Sequence, residues 1–236
     1  MERVGAKRRA NDIGRWLWRE EQLPQRAFFY VLGLFFAAFG VVLAVNSDLG
    51  LSPVSSFPFV LSRITGLYMG TLTTLLLLFF LALQILILRK EFKWINLTQM
   101  IFAIIFGYFV DFIQLFLGDA QLPTYFGRLG MLGFSIVLIV IGLILFLDQK
   151  IVPMPAEGFL EAIVKKYPNR KFHQLKVILD CTFVTLAALL SLLFLGSVVG
   201  LREGTVISAI FIGKLFPPFR KYITNPMLQK FGIRLR

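Results

Sequence analysis

One stretch of this chain occurs twice. The first copy runs from Gly40-Val41-Val42-Leu43 to Leu51-Ser52-Pro53-Val54-Ser55-Ser56-Phe57. The second runs from Gly142-Leu143-Ile144-Leu145 to Val152-Pro153-Met154-Pro155-Ala156-Glu157-Gly158-Phe159. A displacement of 102 residues lays Gly40 on Gly142, Leu43 on Leu145, Pro53 on Pro155 and Phe57 on Phe159 without a gap. Each copy closes a long apolar segment, crosses a few polar residues and opens a short helix on a proline. Proline suits the first helical turn, where its missing N–H has no partner to lose. Ser52, just before Pro53, stands where an N-cap is expected. A long span followed by a half-length helix, made twice, predicts a duplicated membrane fold.

The remaining composition agrees with a membrane. Of 236 residues, 57% are hydrophobic, 26 are Phe, and the mean hydropathy is +0.77. A soluble domain of this size cannot hide that much apolar surface, so the chain reads as a polytopic membrane protein. The net charge of +12 is spread between apolar spans rather than gathered in one patch. It reads as a topology signal and a contact for anionic lipids, not as a nucleic-acid surface. The single Cys181 lies within a span, and the lone His173 flanks one beside Lys171 and Lys176. Neither a disulfide framework nor a Cys or His metal cluster is expected.

In chain order, residues 1–26 are basic and lack the apolar core of a signal peptide. Ile13, Trp16, Leu17 and Trp18 recur at helical spacing among Arg15, Arg19, Glu20 and Glu21, predicting a short headgroup-level helix that ends near Pro24. The alternative for the first ten residues is a structureless basic tail. Six spans are expected at about 27–45, 69–88, 95–117, 127–147, 175–195 and from Thr205 to a break at Pro217-Pro218. Each approaches the ~20 residues a crossing helix needs. The half-helices, Pro53 to about Ile64 and Pro155 to Tyr167, are too short to cross and read as re-entrant or interfacial.

Charge favours this count. With the N-terminus inside and neither half-helix crossing, 22 of the 25 basic residues fall inside, and only Arg63, Arg128 and Arg202 fall outside. Three spans per copy is an odd number, so the copies would be inserted in opposite senses, as inverted repeats. The expected organisation is a cytoplasmic basic segment (1–26), transmembrane repeat 1 (27–117), transmembrane repeat 2 (118–220) and a basic cytoplasmic tail (221–236). The fold class is all-α, with six transmembrane helices in two inverted repeats of three, each carrying a Pro-initiated half-helix.

The run Gly200-Leu201-Arg202-Glu203-Gly204-Thr205-Val206-Ile207-Ser208-Ala209, followed by Gly213, resembles the glycine-rich opening of the last span in YczE/YyaS/YitT-type bacterial membrane proteins. Leu49-Gly50-Leu51-Ser52-Pro53 and the position of Asp180 are similar to that pattern as well. Val152-Pro153-Met154-Pro155 and Lys214 depart from it. The resemblance implies an integral protein of the bacterial cytoplasmic membrane and carries no reaction with it.

Acids within spans are the first functional candidates. A charged aspartate at mid-helix facing lipid costs ~3 kcal/mol on insertion scales, so Asp111 and Asp180 should face protein or a cavity. The functional reading is proton or cation coupling through a desolvated carboxylate; the structural one is a hydrogen-bond anchor. Glu157 and Glu161 share a face of the second half-helix, with Glu161 and Lys165 at favourable i, i+4 spacing. Glu157 either faces a substrate or stabilises the first helical turn. The half-helix N-termini suit an anionic group, with Ser52, Ser55 and Ser56 beside Pro53 lining the first, whereas Glu157 beside Pro155 would oppose an anion at the second, an asymmetry that suggests a zwitterionic substrate or a proton-coupled site. Thr205 could add a hydroxyl, although close helix packing through small residues explains it better.

No catalytic motif is present, so an enzyme is not expected, and neither is a cofactor. The expected function is secondary transport of a small polar or anionic metabolite. The alternative is a non-transporting accessory or structural membrane protein. The expected partners are the lipid bilayer, anionic lipids and an unidentified small-molecule substrate, with no nucleic acid; the sequence leaves a homo-oligomer open.

Overall fold

The computed structural model describes residues 23–118, 120–149, 151–224 and 226. Eight α-helices occur among them: α1 (Leu23–Ser47), α2 (Pro53–Thr65), α3 (Met69–Leu88), α4 (Thr98–Leu117), α5 (Tyr125–Gln149), α6 (Pro155–Lys166), α7 (Phe172–Leu195) and α8 (Glu203–Phe219). The described residues contain no strand. Two 3-10 turns, Arg89–Glu91 and Trp94–Leu97, join α3 to α4, and a π-helical turn, Arg220–Thr224, follows α8. The headgroup helix expected around Trp16 lies outside the described residues.

Five segments are long and apolar enough to cross a membrane: Pro24–Ser47, Met69–Glu91, Trp94–Leu117, Tyr125–Gln149 and Phe172–Leu195. The sixth expected span, α8, has 17 residues and is shorter than these five. Two boundaries differ from the sequence reading. Pro24 sits in the first turn of α1, where no N–H is required of it, so the helix begins ahead of the expected start at Ala27. Pro217 and Pro218 do not end α8, because the helix runs through both to Phe219.

α1 and α5 form the centre. In their most apolar windows 67% and 56% of residues are buried, against 17–22% for the other three long helices. Glycines let the pair cross closely. A methyl group on Gly40 would meet the Ser135 carbonyl at 2.7 Å and the backbone of Ile139 at 3.0 Å. One on Gly142 would meet the Gly33 carbonyl at 2.6 Å and the backbone of Ala37 at 2.5 Å. Where lipid removes most of the hydrophobic drive between helices, such close backbone approach supplies the packing energy. α4 packs on α1, and α8 packs on α5.

The half-helices reach across the chain. α2 packs on α7, and α6 packs on α3. Four phenylalanines mark where they meet. Phe57 of α2 lies 5.5 Å from Phe183 of α7, Phe159 of α6 lies 5.2 Å from Phe80 of α3, and Phe80 and Phe183 meet edge-on at 5.8 Å. Phe80 and Phe183 are near the middles of their helices. Both half-helices therefore begin beside the middle of a long helix rather than at its end. α6 then runs back to the C-terminal end of α3, where Lys165 pairs with Glu91 at 2.9 Å. That contact replaces the Glu161–Lys165 pair expected from spacing. Both side chains of the Lys165–Glu91 pair are exposed.

The opposite end of the bundle is tied by Asp48, whose φ of +53° lies in the left-handed region that Asp tolerates. Its carboxylate accepts from Arg128 at 3.1 Å and lies 3.6 Å from Arg202, whose guanidinium also reaches the Asp48 carbonyl. Backbone bonds seal the same place: Gly204 N–H to the Leu49 carbonyl at 2.7 Å, and Leu51 N–H to the Gly200 carbonyl at 3.1 Å. Gly50 between them adopts φ +115°, and a methyl there would meet Thr205 Oγ1 at 2.6 Å. Only glycine meets both demands.

Candidate functional site at the first turn of the second half-helix

α6 starts on Pro155 for the reason read from the sequence, and the loop before it is held by Tyr30. The buried Tyr30 hydroxyl donates to the Val152 carbonyl at 3.2 Å. Its ring packs on Phe102 of α4 at 4.2 Å. This fixes the height at which α6 begins, between α1, α3, α4 and α7.

Around that first turn the interior becomes polar. Gln84 of α3 and Gln99 of α4 are both buried, at 3% and 0% exposure. Both amides approach Gly158: a methyl group there would lie 2.6 Å from Gln84 Nε2 and 3.2 Å from Gln99 Nε2. Gln84 Oε1, both amide atoms of Gln99 and Glu157 Oε2 are buried without a hydrogen-bond partner. A buried polar atom left unpaired costs about 1–3 kcal/mol, so gathering several at one turn runs against stability.

The donors of that turn are largely engaged. Pro155 has no N–H, Gly158 N–H donates to the Met154 carbonyl at 2.8 Å, and the Glu157 N–H serves its own carboxylate. Burial pushes the Glu157 carboxyl above its ordinary value; its own backbone N–H and Lys176 pull the other way, while Glu161 and Asp180 add to the rise. Burial raises Glu161 too. Lys176, the nearby cation, is bound to Asp180 at 2.7 Å.

The other expected residues are distributed as follows. Ser52 occupies the N-cap position of α2, yet its side chain makes no capping bond. Its hydroxyl donates to Ser55 Oγ at 3.0 Å instead, and Ser56 Oγ donates to the Pro53 carbonyl at 2.7 Å. Local hydroxyl bonding outcompetes capping here. Asp111 accepts from Gly70 N–H at 2.5 Å and from Thr71 Oγ1 at 3.0 Å, capping α3 from a neighbouring helix. This is possible because Gly70 and Gly107 bring α3 and α4 into backbone contact. Thr205 Oγ1 is buried without a partner beside Gly50. Glu157, Pro155 and Asp180 thus meet at α6. Ser52, Pro53, Ser55 and Ser56 lie together at α2, and Asp111 stands apart from both.

Tyr30, Gln84 and Gln99 were not singled out from sequence. For Tyr30 and Gln84 the signal was present, since each is a lone hydrogen-bonding side chain inside an apolar run, such as Leu83-Gln84-Ile85; Gln99 follows Thr98 at the start of its run and carries no such signal. Asp148 was also missed. It is buried at the end of α5 and held by Arg220 in a two-pronged pair at 2.6 and 3.1 Å. In the corresponding place, Asn46 at the end of α1 donates to the Gly118 carbonyl at 3.0 Å.

A family of unknown function, DUF6198, matches residues 24–221. The chain belongs to the DUF6198 family. Curated relatives come from Bacillus subtilis (strain 168). The uncharacterized membrane protein YczE is 26% identical over 148 residues, covering 62% of this chain and 66% of the relative. The uncharacterized protein YyaS is 26% identical over 204 residues, covering 86% of this chain and 96% of the relative. No solved structure matches. With five apolar helices of crossing length and a relative named as a membrane protein, this DUF6198 member is a multi-pass membrane protein of the YczE/YyaS-like kind.

Proposed function

We propose that this protein is a secondary transporter of a small polar solute, with the first turn of α6 as its binding site. The observation that carries the reading is the gathering of buried, unpartnered groups on Gln84, Gln99 and Glu157 around one helical turn. A fold that had only to be stable would have filled those positions with apolar side chains.

The transport reading draws support from paired contacts. Gly40 against Ser135 and Ile139 becomes Gly142 against Gly33 and Ala37 when each number is displaced by 102 residues. The same displacement turns Asn46–Gly118 into Asp148–Arg220. Phe57–Phe183 and Phe159–Phe80 answer one another in the same way to within a residue. Such exchange is what a two-fold axis between inverted repeats would produce. α8 then serves as the sixth span, its 17 residues rising about 25 Å at 1.5 Å each before the π-helical turn extends it. α2 and α6 are re-entrant, both starting at the level of the four phenylalanines. The basic loops around Arg89 and Lys165 face the cytoplasm, with Arg128 and Arg202 at the opposite end.

The test is uptake into proteoliposomes from a panel of small polar solutes, alongside ligand-dependent melting of the detergent-purified protein. A saturable uptake that Gln84→Leu and Gln99→Leu abolish supports the reading. If no solute on the panel is carried or shifts the melt, and the variants complement a deletion strain as wild type does, the protein is an accessory membrane component instead.

A further inference from the structure

We infer that the solute is a small primary ammonium compound, bound through its N–H donors at the first turn of α6. This deepens the transport reading and rests on it for the location of the site. At this turn the unpartnered buried atoms are three oxygens, Gln84 Oε1, Gln99 Oε1 and Glu157 Oε2, and one amide donor group, Gln99 Nε2. An anion would need several donors, and the turn offers few beyond Gln99 Nε2. Pro155 supplies none, Gly158 N–H is bonded to Met154, and Lys176 is held by Asp180. A group presenting several N–H bonds satisfies what is left over.

Carboxyl groups outnumber ammonium groups here: Glu157, Glu161 and Asp180 stand around this turn with Lys176, which is bound to Asp180, and a second cation beside Glu157 would favour its ionised form. Rings complete the surroundings. Phe80 lies one turn from Gln84 on the same face of α3, Phe102 lies one turn from Gln99 on α4, and Tyr30 packs on Phe102. Aromatic faces attract a cation and accept a short alkyl tail. The absence of a side chain on Gly158 lets both amides approach the helix. At the matching place on α2 these features are missing: the Ser52 and Ser56 hydroxyls are bonded, and no carboxylate is present.

The experiment is thermal melting of the full-length protein in detergent with methylammonium chloride, tetramethylammonium chloride or sodium acetate at equal ionic strength. Methylammonium should raise the midpoint saturably by several degrees. Tetramethylammonium, a cation without N–H donors, should not, and acetate should not. Glu157→Gln and Gln99→Leu, each with its own unliganded melt as a folding control, should lose at least tenfold in apparent affinity. An equal rise with tetramethylammonium, a rise with acetate, or no rise with methylammonium would overturn the assignment. Methylammonium binding without uptake into liposomes would leave the ligand class standing and remove transport. Uptake of other solutes without amine binding would do the reverse.

Discussion

The starts of α2 and α6 have the same backbone plan and opposite chemistry. Each opens on a proline, places a phenylalanine four residues later against the middle of a long helix, and packs on a helix from the other half of the chain. At α2 the nearby side chains are Ser55, Ser56, Ala187 and Leu132, and the serine hydroxyls are bonded. The positions answering to them at α6 and its neighbours hold Glu157, Gly158, Gln84 and Tyr30. A shared scaffold can therefore be closed at one place and chemically demanding at the other. The difference lies in a few side chains rather than in the path of the chain.

The largest expected effect tests whether both starts depend on one crossing. Gly142→Leu drives a side chain into the backbone of α1 and should cost about 3 kcal/mol or more. Gly130→Leu on the same helix meets nothing within 4 Å and should fold normally. Size-exclusion profiles and melts of the two variants decide it, and equal behaviour would deny the crossing its role.

Next come the amides themselves. Gln84→Leu combined with Gln99→Leu removes unpaired buried groups and should stabilise the unliganded protein by about 1–3 kcal/mol while abolishing ligand-induced shifts. Thr205→Val, the corresponding change near α2, removes a single unpaired hydroxyl and should gain less than about 1 kcal/mol. Chemical denaturation measures both. Destabilisation by the amide variants would mean that these groups are partnered after all.

A pH series sharpens the contrast. Burial raises the Glu157 carboxyl in the folded protein, so above about pH 4.3 the folded state still holds a proton that the unfolded chain has released. Stability should fall as pH rises through that window, until the folded group itself titrates. Glu157→Gln should flatten that part of the curve and be the more stable protein at its upper end. Superimposable wild-type and variant curves would remove Glu157 from the account.

The smallest effect belongs to Glu91→Gln. Its partner Lys165 is exposed, as is Glu91 itself, so solvent screens the pair and no measurable change in the melting midpoint is expected. A clear loss would give the α3–α6 contact an importance the buried site does not predict.

Some of this was legible beforehand. Long apolar runs must become helices, because only helices satisfy their own backbone in lipid. Pro53 and Pro155 fix where short helices begin, and five of the six spans expected are present at crossing length. The candidate site was only half legible. Glu157 was singled out by charge, whereas Gln84 and Gln99 are neutral residues, and their meaning depends on what stands opposite. Asp111 was singled out for the same reason as Asp180, yet it meets Gly70 N–H and Thr71. Nothing local distinguishes an acid that caps a neighbouring helix from one that does not.

The sequence alone determined the membrane class, the helical fold, the duplicated stretch around the two prolines and the proline starts, because hydropathy and backbone covalent geometry act over a few neighbouring residues. Tertiary structure decided the partners: Gly33 with Gly142, Asp148 with Arg220, Phe80 with Phe159, and two glutamines against Gly158. Those meetings join residues from separate parts of the chain. Their energies exist only once the helices cross, and so only the folded bundle separates a closed half-helix start from an unsatisfied one.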